Sequence, residues 1–398
     1  MLSYFLWIKW AFPSVHSPII RTRGSIREHQ ISFSISVFNT APQLYFHAPH
    51  LTNPQSIFPC LCEQIPHTIG DDVNRPAPSW GGDPVPRPTL DVIREATNCI
   101  SDVVVRTPTL PYRGHAGDIF LKLEILQPIG SFKLRGVYNW VASLSEAERA
   151  RGISTTSAGN TAQALGYVAR LFGIPSKTLL PESVPDAKLD AIISYGVEPF
   201  KVTVEELFAY MLEERWREES YSYLNPWGAP EMIAGSATIG LEILEDCEVD
   251  TVFIAVGGGG LAAGVGSAIK AVSPDVRILA VQPEGCPSLK ASFDAGEGTW
   301  VTPAETICDG TRVPLIVNEM IPLLRDVIDD VIIVPESRVR EAVRKLALIN
   351  KVVAEGSGAL SLAGALHLDE SERGRSVCVI SGGSIDPALL AEIVQKSG

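Results

Sequence analysis

Ser131-Phe132-Lys133-Leu134-Arg135-Gly136 places one lysine between an apolar, strand-like run, Ile119-Phe120-Leu121-Lys122-Leu123, and a helix-like run that begins near Leu134. A lysine at such a junction can point into a cleft at a sheet edge. Desolvation there lowers the amine's pKa and makes it nucleophilic enough to form a Schiff base with a carbonyl compound. A surface lysine in a turn would fit the same six residues. Four later segments decide between the two readings, because each suits one part of a phosphorylated, ring-shaped molecule.

Ala255-Val256-Gly257-Gly258-Gly259-Gly260-Leu261 is the first of them. Thr251 to Val256 is continuously apolar and β-branched, the pattern of a strand buried on both faces. Leu261 to Val272 reads as a helix with Val265 and Ile269 on one face. Glycines at that junction leave backbone N–H groups uncovered at a helix N-terminus, which suits a phosphate. A tight turn would need only one or two glycines. The pattern is neither a dinucleotide fingerprint nor a P-loop.

Ser157-Ala158-Gly159-Asn160-Thr161-Ala162-Gln163 precedes an amphipathic run, Ala164 to Phe172, with Gly173 as its C-terminal cap. Small hydroxyl and glycine residues there would receive a carboxylate, and the Asn160 amide could bond a phenolic oxygen. Val377-Cys378-Val379-Ile380-Ser381-Gly382-Gly383-Ser384 is a further buried strand ending in a hydroxyl and two glycines. Glu355-Gly356-Ser357-Gly358-Ala359 reads as a flexible acidic turn between helical runs.

Taken in chain order, Ser131 to Gly136, Ser157 to Asn160, Gly257 to Leu261, Glu355 to Ala359 and Ser381 to Gly383, the segments resemble the serine/threonine dehydratase group of pyridoxal-phosphate enzymes, which have the tryptophan-synthase-β fold. The resemblance runs from about Pro88 to the C-terminus and is most specific from Leu121 to Gly136. It implies two parallel-sheet α/β domains with pyridoxal 5'-phosphate in the cleft between them. Lys133 would carry the cofactor with Phe132 packed beside it. Asn160 would meet the ring's phenolic oxygen, and Gly257, Gly258, Gly259, Gly260 and Leu261 would hold the phosphate. Ser381 would face the pyridine nitrogen. Ser157, Ala158, Gly159, Thr161 and Trp227 would border the substrate.

A hydroxyl rather than a carboxylate opposite the pyridine nitrogen leaves the ring a weaker electron sink, so loss of a β-substituent is favoured over transamination. The freed Lys133 amine would take the Cα proton as general base. The expected reaction is an ammonia-lyase β-elimination on L-threonine, L-serine or a related 3-hydroxy amino acid, giving a 2-oxo acid and ammonia. Racemisation and β-replacement are the alternatives within the same fold. Cysteine synthases usually have Lys-Asp-Arg, and here Leu134 follows Lys133. Ala158 stands where serine racemases carry a proton-donating serine, and a methyl group donates nothing. Thr161 and Ser384 replace a common histidine and asparagine. Trp227, where dehydratases often have phenylalanine, reads either as a wall of the substrate's Cβ side or as a packing residue. Gln282 and Ser288 occupy what would be cation-ligand positions, so no metal is expected. Histidine is an unsuitable base, since five of the seven lie before Asp71.

The elements that must position these residues follow from the alternation of strand-like and helix-like runs after Val85-Pro86-Arg87-Pro88, a linker-like stretch. Residues 85–398 read as the catalytic unit, with 152–224 as a smaller inserted domain. Val204 to Glu219 reads as a charged helix with a solvated face. The chain ends soon after Ser384, so a C-terminal regulatory domain is not expected. At 398 residues and 45% hydrophobic content it can bury large cores. A net charge of −13 without a basic stripe argues against nucleic acid. Seven cysteines without metal spacing suit a reducing compartment, and Cys60-Leu61-Cys62 is too isolated for a zinc site.

Residues 1–84 differ in composition. Up to Gly70 there are four Lys/Arg and only Glu28 and Glu63 as acids. Met1 to Val15 is apolar, but Lys9 and Pro13 interrupt it, so a spanning helix is excluded. Two readings remain, a disordered extension and a mitochondrial transit peptide. The compartment is cytoplasmic on the first and mitochondrial on the second. The expected partner is a small amino-acid substrate, with no nucleic acid and no membrane, and a homodimer follows from the resemblance alone.

Overall fold

Alternate residues of Thr251–Ala255 feed two different cores. Val252 and Ile254 join one apolar cluster, while Phe253 and Ala255 join another. A strand buried on both faces has no place for polar alternation, which is why the run is continuously apolar. The computed structural model describes residues 79–80 and 82–395. Its strands are β1 (Thr109–Pro111), β2 (Ile119–Lys122), β3 (Ile153–Thr156), β4 (Ser176–Pro181), β5 (Glu198–Val202), β6 (Ser222–Leu224), β7 (Thr251–Ala255), β8 (Arg277–Pro283), β9 (Asp330–Val334) and β10 (Ser376–Val379). The helices that frame the site are α1 (Leu90–Ile100), α2 (Lys133–Ser143), α3 (Asn160–Phe172), α4 (Asp186–Ser194), α5 (Val204–Leu212), α6 (Pro230–Asp246), α7 (Gly260–Val272), α8 (Ser288–Ala295) and α9 (Gly356–Ala365).

The larger sheet has the order β1-β2-β10-β7-β8-β9, parallel except for the edge strand β1. Ile233, Ile243, Val265 and Ile269 of α6 and α7 cover one face. Ala359, Leu360 and Leu362 of α9 cover the other. The smaller sheet, β5-β4-β3-β6, is parallel throughout, and all its strands lie between residues 153 and 224. Ile153 and Leu224 on one face pack against Leu165 and Val168 of α3 and against Leu134, Val137 and Val141 of α2. Burying each of those aliphatic side chains stabilises the packing by about 1.5–3 kcal/mol. The helix that begins with Lys133 is therefore anchored through its apolar face, while its first residue stays at the sheet edge.

Three expectations change. Gly356–Ala365 is a helix with every residue buried, not a flexible turn. Glycine disfavours helix, but a side chain at Gly358 would collide with the Gly382 carbonyl, so close packing overrides propensity. The Val204–Glu219 helix stops at Leu212 and passes through Glu214 at φ 52° into a short 3₁₀ turn. Its inner face buries Tyr210 and Met211, so only part of it is solvated. The linker-like Val85–Pro88 stretch is docked: the Val85 N–H donates to Glu319 O at 2.9 Å and Arg87 pairs with Asp326 at 2.6 Å. Of the N-terminal segment, residues 1–78 and 81, with the Cys60-Leu61-Cys62 reading, lie outside the described residues.

Candidate active site

Lys133 opens α2, and the residues just before it are fastened to the loop after β10. Ser131 pairs with Gly382, and the Phe132 N–H donates to Ser381 O at 3.0 Å. The Lys133 ammonium is partly buried, donates to the Pro226 carbonyl at 3.4 Å and lies 5.1 Å from the centre of the Phe132 ring. Burial disfavours the charged form and pulls its pKa down to about 8. Near neutral pH an appreciable fraction is therefore the free, nucleophilic amine.

Gly257 to Gly260 link β7 to α7. Gly259, at φ 97°, is the cap residue, in a backbone conformation that side chains rarely adopt. The amides of Gly258, Gly259, Gly260 and Leu261 meet no acceptor among the described residues. The Asn225–Gly228 turn joins this loop to the lysine: Pro226 accepts from Lys133, while the Trp227 ring fills the space a Gly258 side chain would take. Asn225 holds the turn by accepting from the N–H groups of Trp227 and Gly228 at 3.0 and 3.1 Å. Trp227 also stacks on Trp80, with centroids 6.4 Å apart and planes 12° from parallel.

Asn160 is the first residue of α3. Its amide donates to Glu355 Oε1 at 2.9 Å and its carbonyl accepts from Ser384 Oγ at 2.9 Å. Gly382 lies against both Asn160 and Glu355, and the Glu355 N–H donates to its carbonyl at 3.1 Å. Lys133, Asn160 and the Ser381–Ser384 loop thus meet in one place. Ser381 is buried, and its hydroxyl has no protein partner among the described residues. Ser157 Oγ accepts from the Gly159 N–H at 3.2 Å, and the position of a Gly159 side chain is open to 4 Å. Ala158 packs against the Ala162, Leu180 and Val184 cluster. Thr161 is buried in the first turn of α3.

The sequence reading named Glu355 only as part of an acidic turn and gave its side chain no role. Its only signal was an acid inside an otherwise small and apolar segment. Burial pushes its carboxyl up to about 7, against the opposing hydrogen bond from Asn160. The folded state therefore holds an extra proton. Glu355's stabilising contribution is complete below about 4.5 and is lost as pH rises through about 7. Glu355→Gln has no such loss. In cofactor-free protein its melting temperature minus that of wild type should rise between about pH 5 and about pH 8. A difference independent of pH would give Glu355 an ordinary carboxyl.

At the expected cation positions, Gln282 is buried and acts as a cap. Its Oε1 accepts from the Leu289 and Lys290 N–H groups of α8 at 2.9 and 3.1 Å, while its amide donates to Val256 O at 3.2 Å and Ser288 Oγ at 3.4 Å. The two accepted bonds engage the Gln282 side-chain oxygen, the atom through which it would ligate a cation.

The arrangement fits pyridoxal phosphate. The open amides of the glycine loop suit its phosphate, the Lys133 amine its aldehyde, the Ser381 hydroxyl its ring nitrogen and the Asn160 amide its phenolic oxygen. Residues 100–382 match the family of pyridoxal-phosphate dependent enzymes. The L-threonine ammonia-lyase of Thermotoga maritima is 38% identical over 318 residues, 77% of this chain and 78% of that one. The catabolic L-threonine dehydratase of Escherichia coli K12 is 38% identical over 287 residues, 70% of this chain and 86% of that one. The structure of maize serine racemase superposes with a TM-score of 0.70 at 32% identity, covering 77% of this chain and 97% of that one. The chain belongs to the pyridoxal-phosphate dependent enzymes of the tryptophan-synthase-β fold.

Proposed function

We propose that the protein is an ammonia-lyase that converts L-threonine, L-serine or a related 3-hydroxy amino acid to a 2-oxo acid and ammonia. The observation that carries this reading is a partly buried lysine, with its pKa lowered, whose only hydrogen-bond acceptor among the described residues is a backbone carbonyl. A neutral amine so placed can take a Cα proton, and general-base catalysis contributes about 10²–10⁴-fold. Similarity to an L-threonine ammonia-lyase and an L-threonine dehydratase supports the substrate class.

Gly257 to Leu261 would hold the cofactor phosphate, and Asn160, oriented by Glu355 and Ser384, its phenolic oxygen. When bound, pyridoxal phosphate supplies the electron-withdrawing ring that makes the Cα proton acidic. The Ser157–Thr161 turn, at the N-terminus of α3, would receive the substrate carboxylate. Lys188 of α4 pairs with Asp309 at 2.7 Å, an exposed contact that would help keep the small sheet closed over the site and water out. Trp227 lies against the glycine loop and stacks on Trp80, so its ring would border the substrate from beside that loop.

The reading takes 85–398 as the catalytic unit with 152–224 as its smaller inserted domain. It also includes a homodimer and a cytoplasmic setting. Cys286, Cys308 and Cys378 are buried and unpaired. Among the described residues no helix is long and apolar enough to cross a membrane.

The test is a panel of L-serine, L-threonine and phenylserine followed together for ammonia, 2-oxo acid and D-enantiomer. Elimination is expected to dominate, because Ala158 has no proton to donate at the position where racemases carry a serine. Ala158→Ser should raise the share of D-product. D-product from the wild-type protein forming as fast as 2-oxo acid would replace the lyase reading with a racemase.

A further inference from the structure

Four charged side chains are sealed beneath the lysine helix. Arg135 is 1% exposed, Lys122 and Glu124 are 0% and Glu242 is 8%. Arg135 grips Glu124 with Nε and Nη2, both at 2.8 Å, and Glu242 with Nη1 at 2.7 Å and Nη2 at 2.9 Å. Thr238 Oγ1 accepts from Nη1 at 3.0 Å. Lys122 donates to Glu242 at 2.7 Å and to the Thr107 carbonyl at 2.7 Å. Thr107 Oγ1 donates to Glu124 at 2.6 Å.

Burying such a cluster is costly, and apolar side chains of similar volume often give equal or better stability. Its geometry is the more informative property. Arg135 lies two residues after Lys133 on α2. Lys122 ends β2, and its carbonyl accepts the Ile380 N–H at 2.9 Å, one residue before Ser381. Thr238 and Glu242 belong to α6. The α2–α6 crossing is otherwise smooth: a side chain at Gly136 would come within 2.7 Å of Met232 O, and one at Gly235 within 2.5 Å of Arg135 O. Helices meeting through glycine faces have few interlocking ridges to stop them sliding or rotating. A planar guanidinium gripping two carboxylates supplies the directional constraint.

We infer that Arg135 is a positioning residue: its fork to Glu124 and Glu242 sets the rotation of α2 against β2 and α6, and so aims the Lys133 amine at the site. This rests on the proposed reading in taking Lys133 as the reacting amine.

Two variants test it. Arg135→Met/Glu124→Gln removes one charge of each sign and leaves Lys122 paired with Glu242. Arg135→Lys keeps the charge and loses the fork. Each is compared with wild type for melting temperature, kcat and KM. The pH midpoint of covalent labelling of Lys133 by an amine reagent is read by mass spectrometry on cofactor-free protein. Both variants should fold. Each should lose about 10- to 100-fold in kcat, as expected for a group displaced by about 1 Å, with KM changed less than about twofold. The labelling midpoint should move from about 8 toward the ordinary 10.5 as the amine leaves its buried position.

Wild-type kcat and an unmoved midpoint in the double variant would overturn the inference. So would full rescue by Arg135→Lys, which would leave charge alone as the requirement, or failure of both variants to fold, which would make the cluster a requirement of the fold. Wild-type protein inactive on the panel would sink the lyase reading, while the labelling midpoints still judge the role of Arg135.

Discussion

Lys133→Ala is expected to release ammonia from L-threonine or L-serine at least about 10²–10⁴-fold more slowly than wild type. The same protein should lose its covalent hold on the cofactor. Borohydride treatment of the yellow wild-type protein should fix the cofactor to the peptide containing Lys133, and the variant should release it on dialysis. The amine's environment sets a second expectation. Burial brings its pKa to about 8, so capture of pyridoxal phosphate by cofactor-free protein should quicken as pH rises through about 8 and then level off. Stopped-flow absorbance measures that profile. A Lys133→Ala protein releasing ammonia at the wild-type rate would remove the lysine from the chemistry.

Gly358→Ala should be the most damaging single methyl group in the site's framework. Its Cβ would come within 2.0 Å of the Gly382 carbonyl oxygen and 3.0 Å of Gly382 C and N. Neither partner can yield cheaply. Gly358 is inside the buried helix α9, and Gly382 is held by Ser131 on one side and by the Glu355 N–H on the other. Overpacking of this kind typically costs about 1–3 kcal/mol. The loop carrying Ser381 would have to move, so cofactor affinity should fall together with stability. Thermal melts with and without saturating cofactor measure both. A wild-type melting temperature with unchanged cofactor affinity would mean the loop shifts without consequence and does not position Ser381.

Much of the candidate site was legible because its parts are local. Lys133 between a strand and a helix, Gly257 to Gly260 after an apolar strand, and Asn160 at a helix start each announce themselves within a dozen residues. Backbone geometry at such junctions depends on neighbours in sequence. β7 and β10 were equally plain, since a strand covered on both faces must be apolar throughout. Composition also separated the acid-poor N-terminal segment from the rest.

The remainder depended on partners far along the chain. Glu355 meets Asn160 across 195 positions, and Arg135 meets Glu242 across 107. No periodicity signals such pairings, because they exist only once two sheets and the helices between them have closed. Gly356 and Gly358 suggested a turn, since glycine is a poor helix former when judged alone. Only the approach of Ile307 and Gly382 shows that a side chain has no room there. Gln282 stood in the sequence as a poor residue for a cation position, and Trp227 was open between a substrate wall and a packing residue. In the fold, Gln282 caps α8 and Trp227 packs on Gly258. Sequence alone therefore determined which groups can do the chemistry. Tertiary structure decided which of them are desolvated, satisfied or aimed, because burial and hydrogen-bond partnership belong to the closed fold and not to any single segment.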